Sequence, residues 1–243
     1  GNLAQAIFKE SLGHDFFVYT PSGTRAKELA EKLDGTWVKH AQDFPPMDVL
    51  ILCMKPQQFQ ESVENFKHLI PTNKMISLLA GISHNKISNA WGAQNVARVM
   101  SNTPCQVGLG MSVVYSPEAD LLQLTQNLLE KSSRVIAVDK EEKIDQLIGI
   151  NASGVAFFFE TARIMQEHYK EVLSPEELKI ITAQTIKGAG EMLFHDEALD
   201  LRNKVTSKGG TTAAMLNSIQ EDGFADFFKS AMDKAHARAR ELG

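Results

Sequence analysis

The chain has 243 residues, 43% hydrophobic and 23% charged, with a formal net charge of −5. That length buries a sizeable core in one large domain or two small ones, and an acidic balance without a long basic block excludes nucleic acid as an expected partner. The longest apolar runs, such as Val49–Met54 and Val155–Phe159, fall far short of the roughly 20 residues of a membrane span, so no membrane partner is expected either.

In chain order, Gly1-Asn2-Leu3-Ala4 opens a helix over residues 2–12 with Leu3, Ile7, Phe8 and Leu12 on one side and Gly13 as its stop. A strand, Phe16–Tyr19, follows. This order fits the second half of the dinucleotide fingerprint G-x-G-x-x-G/A, with Gly1 as the glycine that lets backbone approach a pyrophosphate and Ala4 as the small third position. The first glycine and the strand before it are not in the sequence. About 6–10 residues, a strand with its turn, are therefore expected ahead of Gly1 in the natural protein.

The next segment reads Tyr19-Thr20-Pro21-Ser22-Gly23-Thr24-Arg25, with no carboxylate. An NAD site wants an acidic residue here, whereas a 2′-phosphate wants cationic and hydroxyl groups. Thr20, Ser22 and Arg25 thus favour NADP(H), with NAD(H) as the alternative; a plain turn before the helix at 25–33 satisfies the same residues. Met54-Lys55-Pro56 ends the most apolar strand, Val49–Met54, where ligands of open α/β sheets sit, so Met54 and Lys55 join the cofactor set. A solvated strand end is the other reading of that lysine. Further strands are expected at Met75–Leu79, Val96–Met100, Ser112–Tyr115 and Val135–Val138. Strands alternating with amphipathic helices indicate an α/β domain over 1–139, its sheet mostly parallel with helices on both faces.

From Lys140 the strand signal ends and 140–243 reads as all-helical. A long helix is expected at 144–169, a second begins at Ser174-Pro175-Glu176-Glu177, an N-cap serine with a glutamate three residues on, and a last one covers 224–242. Phe157, Phe158, Phe159, Phe224, Phe227 and Phe228 make these helices apolar on more than one face, which calls for burial against a second copy. Between them, Val205-Thr206-Ser207-Lys208-Gly209-Gly210-Thr211-Thr212 interrupts the helical pattern. Paired glycines bring bare N–H groups close to a ligand, and donors at a helix N-terminus suit a carboxylate. A Gly-Gly turn with a threonine N-cap is the plainer alternative. Cys53 and Cys105 form no CxxC pair, no secretory signal is visible, and the seven histidines lack ligand spacing. A cytoplasmic protein without a metal is expected.

Four segments taken together resemble the pyrroline-5-carboxylate reductase family: Gly1–Ala4, Met54–Pro56, Arg98-Val99-Met100-Ser101-Asn102-Thr103-Pro104, and Val205–Thr212; Glu221-Asp222-Gly223-Phe224 adds a fifth likeness. The resemblance covers essentially the whole chain. It implies a Rossmann-like N-terminal domain whose first strand is missing here, and a helical C-terminal domain that interlocks with a second subunit as a homodimer or an oligomer of dimers. It implies reduction of a cyclic imino acid, 1-pyrroline-5-carboxylate, to L-proline. Asn2, Leu3, Lys55 and Ala80 are then expected along the cofactor, and Glu141, Glu197, Ser207, Gly210, Thr211 and Thr212 around the substrate, with Thr212 nearest the chemistry. The chain departs from the family at Val155 and Lys208, where proline is usual, and at Lys204, where asparagine is frequent. The stretch 195–205 is about two residues short, which weakens the transfer of Glu197. Two alternatives stay open: a sister oxidoreductase using a lysine such as Lys187, and a reductase-like regulatory protein that has lost catalysis.

Overall fold

The computed structural model describes residues 2–8, 13–69 and 73–242. Gly1, the strand expected ahead of it, and the end of the first helix expected at 9–12 lie outside the described residues. The chain divides into two compact units, Gly1–Ala152 with Lys234–Gly243, and Ser153–Asp233.

In the first unit, α1 (Asn2–Phe8) leads to a two-stranded parallel sheet of β1 (Phe17–Val18) and β2 (Thr36–Trp37), connected through α2 (Thr24–Lys32). A second sheet has the order β3-β4-β5-β6-β7, with β3 (Leu50–Leu52), β4 (Lys74–Ser77), β5 (Asn95–Ser101), β6 (Gly110–Tyr115) and β7 (Ser133–Ala137). All its pairs are parallel except β5 with β6, where Arg98 lies opposite Tyr115. All six expected strands form. β2 was not foreseen, because its two residues are both exposed and carry no alternation.

Strand pleating sends neighbours to opposite faces, and the core is sorted accordingly. Ile76, Ala97, Val99 and Val114 meet Ile7 and Phe8 of α1 and Leu121, Leu128 and Leu129 of α5 (Ala119–Leu129). Met75 and Val96 instead meet Phe59 and Val63 of α3 (Phe59–Phe66) and Ile87 of α4 (His84–Trp91). Helices on both faces are thus what buries a sheet whose strands are apolar on two sides.

A third cluster joins Met100 and Val113 to Ile144, Ile148 and Ala239. It draws α6 (Glu142–Gln146) and the last residues of α11 (Phe224–Leu242) into the first unit. Here the expected continuous helix at 144–169 is corrected. α6 gives way to a 3-10 turn at Leu147–Gly149, and α7 (Gly154–His168) starts only after a turn at 151–153. Asn151 is held at the break by distant side chain and backbone groups. Its Nδ2 donates to Met100 O at 2.8 Å, while Asn102 Nδ2 donates to both Asn151 O (3.3 Å) and Asn151 Oδ1 (3.2 Å). A side chain that bonds backbone from a distant strand offers the chain an alternative to continuing the helix. The compact units divide at Ala152, and residues 140–152 pack with the sheet.

The second unit consists of α7, α8 (Pro175–Met192), α9 (Ala198–Lys204), α10 (Thr211–Glu221) and the first half of α11. α8 begins as the sequence indicates: Ser174 Oγ accepts from Glu177 N at 3.4 Å and Glu177 Oε2 accepts from Ser174 N at 3.0 Å. Phe157 contacts Phe228 at 4.4 Å between ring centroids, and Phe228 stacks on Phe224. Among the described residues no helix is long and apolar enough to cross a membrane.

Candidate active site

α9 ends where Thr206 Oγ1 donates back to Arg202 O at 2.6 Å. The chain then turns through Gly209, whose φ of +72° lies in the left-handed region that glycine adopts without strain. Gly210 N closes the turn on Ser207 O at 3.0 Å. Gly210 itself, extended at φ −80° and ψ 172°, is the N-cap of α10, and no side chain caps the helix. The threonine N-cap considered from sequence is thus corrected: Thr211 and Thr212 already lie inside the first turn. A Cβ at position 210 would push against Ser207 Oγ, so the serine hydroxyl lies directly against this glycine. The first N–H groups of a helix have no intrahelical acceptor and sit at the positive end of its dipole. With no side chain folded over them, those of Thr211, Thr212 and Ala213 suit an incoming carboxylate.

At the other end of α9, Glu197 is exposed at the N-cap and its side chain does not bond the cap. Lys204, one of the departures from the family pattern, pairs with Asp196 at 2.7 Å and so ties the two ends of α9 together. Lys208 is exposed on the loop, and Val155 is half-buried in the first turn of α7.

Thr20, Ser22, Met54, Lys55 and Ala80, expected at the cofactor, follow parallel strands. After β1, Gly23 N donates to Thr20 O at 3.0 Å and Thr24 N to Ser22 O at 2.9 Å, which sets the hydroxyls of Thr20 and Ser22 3.5 Å apart. Arg25 is exposed in the first turn of α2, a turn without acidic residues. Two hydroxyls and a guanidinium with no carboxylate form a donor set that fits a phosphate. Half-buried Met54 and exposed Lys55 follow β3, and half-buried Ala80 follows β4. The register Leu52↔Ser77 places these two ends on one edge of the sheet. Cys53 beside them is no nucleophile, since desolvation pushes its thiol up to about 12. Leu3 packs against the core cluster under α1, Asn2 opens that helix, and Gly1 lies outside the described residues.

Glu141, expected beside the substrate, bonds within the first unit. Its Oε1 accepts from Arg98 Nη1 at 2.8 Å and from the backbone N of His84 at 2.5 Å. Arg98, 2% exposed in the middle of β5, also grips Asp145 with both terminal nitrogens, at 3.0 and 3.2 Å. Arg98 and Asp145 received no role from sequence. The available signal was a lone cation inside the apolar run Val96-Ala97-Arg98-Val99-Met100, which cannot be buried without carboxylate partners.

A family model described as pyrroline-5-carboxylate reductase dimerisation matches residues 141–242, and one described as NADP oxidoreductase coenzyme F420-dependent matches residues 1–81. A pyrroline-5-carboxylate reductase of Vibrio alginolyticus is 34% identical over 261 residues, covering 100% of this chain and 94% of that protein. The structure of a pyrroline-5-carboxylate reductase from Coxiella burnetii matches with a TM-score of 0.85 at 27% identity, over 100% of this chain and 96% of that one. A Plasmodium falciparum pyrroline carboxylate reductase structure with NADP bound shares the fold at a TM-score of 0.86 and 22% identity, over 100% and 95% of the two chains. Full-length identity to a curated relative, the family fold and the dimerisation segment agree, and the chain belongs to the pyrroline-5-carboxylate reductase family.

Proposed function

We propose that this protein reduces 1-pyrroline-5-carboxylate to L-proline with NADPH, NADH being the alternative donor, and that it does so in the cytoplasm as a homodimer or an oligomer of dimers. The observation that carries the reading is the uncapped start of α10 behind Gly209-Gly210, a built receptor for one carboxylate. The N–H groups of Thr211 and Thr212 bind that carboxylate, with the Ser207 hydroxyl beside Gly210 as a further donor. Glu197 and Thr212 lie around the ring. The dinucleotide, when bound, supplies a hydride to the carbon of the C=N bond. The nitrogen, protonated beforehand as an iminium, becomes the secondary amine of proline. Thr212 orients that nitrogen by a hydrogen bond; its hydroxyl is far too weak an acid to serve as the proton source near neutral pH. Holding the ring at both ends accounts for several kcal/mol of barrier, in the range known for positioning.

On the other side of the reaction, Thr20, Ser22 and Arg25 take the 2′-phosphate. Gly1, Asn2, Leu3, Met54, Lys55 and Ala80 line the rest of the dinucleotide. Residues 1–139 act as the cofactor domain and 140–243 as the substrate and pairing domain, whatever the packing division. The exposed apolar faces of α7 and α8 meet a second copy. Steady-state kinetics test the loop. Thr212→Ala is expected to lower kcat about 10- to 100-fold, the loss of one transition-state hydrogen bond. Ser207→Ala is expected to raise KM for the imine with kcat nearly unchanged. Wild-type kinetics in both variants would remove the substrate from this loop.

A further inference from the structure

Glu141 connects three elements that lie far apart in sequence. It begins α6, faces Arg98 of β5, and accepts the first amide of α4. That amide needs an outside acceptor. Ser83, the N-cap of α4, gives its Oγ to Lys86 N at 3.2 Å, leaving the His84 N–H at the first helical position without an intrahelical partner. A carboxylate there is favoured twice, by the charge-assisted bond and by the positive end of the helix dipole. The His84 ring stands edge-on to Tyr115, which fixes the same corner from the sheet side.

Upstream of His84 is the turn that ends β4, Ala80-Gly81-Ile82-Ser83. Gly81 takes a φ of +74°, so the turn depends on a backbone conformation that its own side chains do not enforce. Ala80 packs toward Met100 and Val113, and Ile82 is buried in the neighbouring cluster. The turn is thus gripped from below by apolar contacts and at its far end by Glu141. The carboxylate is in turn held by a guanidinium whose other face is clamped by Asp145.

We propose that Glu141 is a positioning residue for the cofactor, not a substrate contact: fixed by Arg98 and Asp145, it anchors the His84 N–H and thereby sets the Ala80–Ser83 turn against the dinucleotide. This rests on the reading that Ala80 lines the cofactor. The experiment measures the NADPH dissociation constant by fluorescence titration, KM for the imine and the melting temperature in the wild type, Glu141→Ala, Glu141→Gln and Asp145→Asn. Glu141→Ala is expected to weaken NADPH about tenfold, as fits one lost charge-assisted hydrogen bond, with KM for the imine within about twofold. Glu141→Gln keeps an oxygen acceptor for His84 and should restore most of that affinity. Asp145→Asn should shift NADPH binding in the same direction by a smaller factor, and it carries the test if Glu141→Ala does not fold. A raised KM for the imine with unchanged NADPH affinity would make Glu141 a substrate contact and overturn the proposal. A lowered melting temperature with both constants unchanged would reduce the cluster to a brace of the fold and overturn it equally. A wild type that does not bind NADPH would overturn the cofactor reading itself, and this proposal with it.

Discussion

The two units have similar shares of apolar residues but use them in opposite ways. The first buries apolar side chains from Ile7 through Met75 and Val96 to Leu121 and Ile148, packed on both faces of its sheet. In the second, Leu178 is the only buried hydrophobic residue among those described. Phe159 on α7 is 64% exposed, Ile180 and Ile181 on α8 are 60% and 54% exposed, and Val172 between the helices is 69% exposed. A sheet with helices on each side closes its own core, whereas these few helices leave apolar faces exposed. Exposed apolar residues of this kind are what an interface between chains covers, and the family model that matches here is one for dimerisation. Hydrophobic content alone therefore does not locate a core. The layer it belongs to does.

The contrast is sharpened first by charging the exposed face. Phe159→Glu or Ile181→Glu should break the proposed dimer into monomers at micromolar concentration, since a carboxylate held in an apolar interface costs several kcal/mol without a partner, roughly the range for unpaired buried charge. Sedimentation velocity checks it, and a dimer that survives both changes would mean that another surface pairs. The next effect belongs to the first unit. Met75→Ala, at a fully buried position, should cost about 2–5 kcal/mol of unfolding free energy in denaturant titrations. Ile180→Ala should cost far less when measured on dissociated protein, because its side chain is already in water there. Equal costs would erase the distinction between the units. The smallest effect is on cofactor choice. Arg25→Ala should reduce the NADPH-over-NADH preference by about tenfold, the size of one lost charge-assisted contact to phosphate; titrations with tighter NADH binding in the wild type would contradict it.

How much of this was legible in the sequence follows the same division between local and distant causes. The strands from Phe16 to Val138 announced themselves through short apolar runs, and the capping box at Ser174 through four consecutive residues. β2 did not, since Thr36 and Trp37 join β1 without an apolar pattern of their own. At the break before α7, Asn151 bonds Asn102 and Met100, about fifty positions away, and no local pattern encodes those contacts. The loop at 205–212, proposed to hold the substrate, was visible as glycines among hydroxyls. That Gly210 and not a threonine stands at the N-cap of α10 is something spacing alone does not reveal. Arg98 was visible as a charge in an apolar strand, but Glu141 and Asp145 became its partners only when α6 was laid on β5. Lys204 departs from the family and is explained by Asp196; nothing in the structure explains Val155.

The measurement that bears most directly on the account is product analysis of the wild-type protein with NADPH and 1-pyrroline-5-carboxylate, following cofactor consumption and L-proline together. Catalysis through the Ser207–Thr212 loop requires one L-proline for each NADPH oxidised, and a strong drop of both in Thr212→Ala. Tight NADPH binding with no proline formed by the folded dimer would contradict it and leave a reductase-like protein without the reaction.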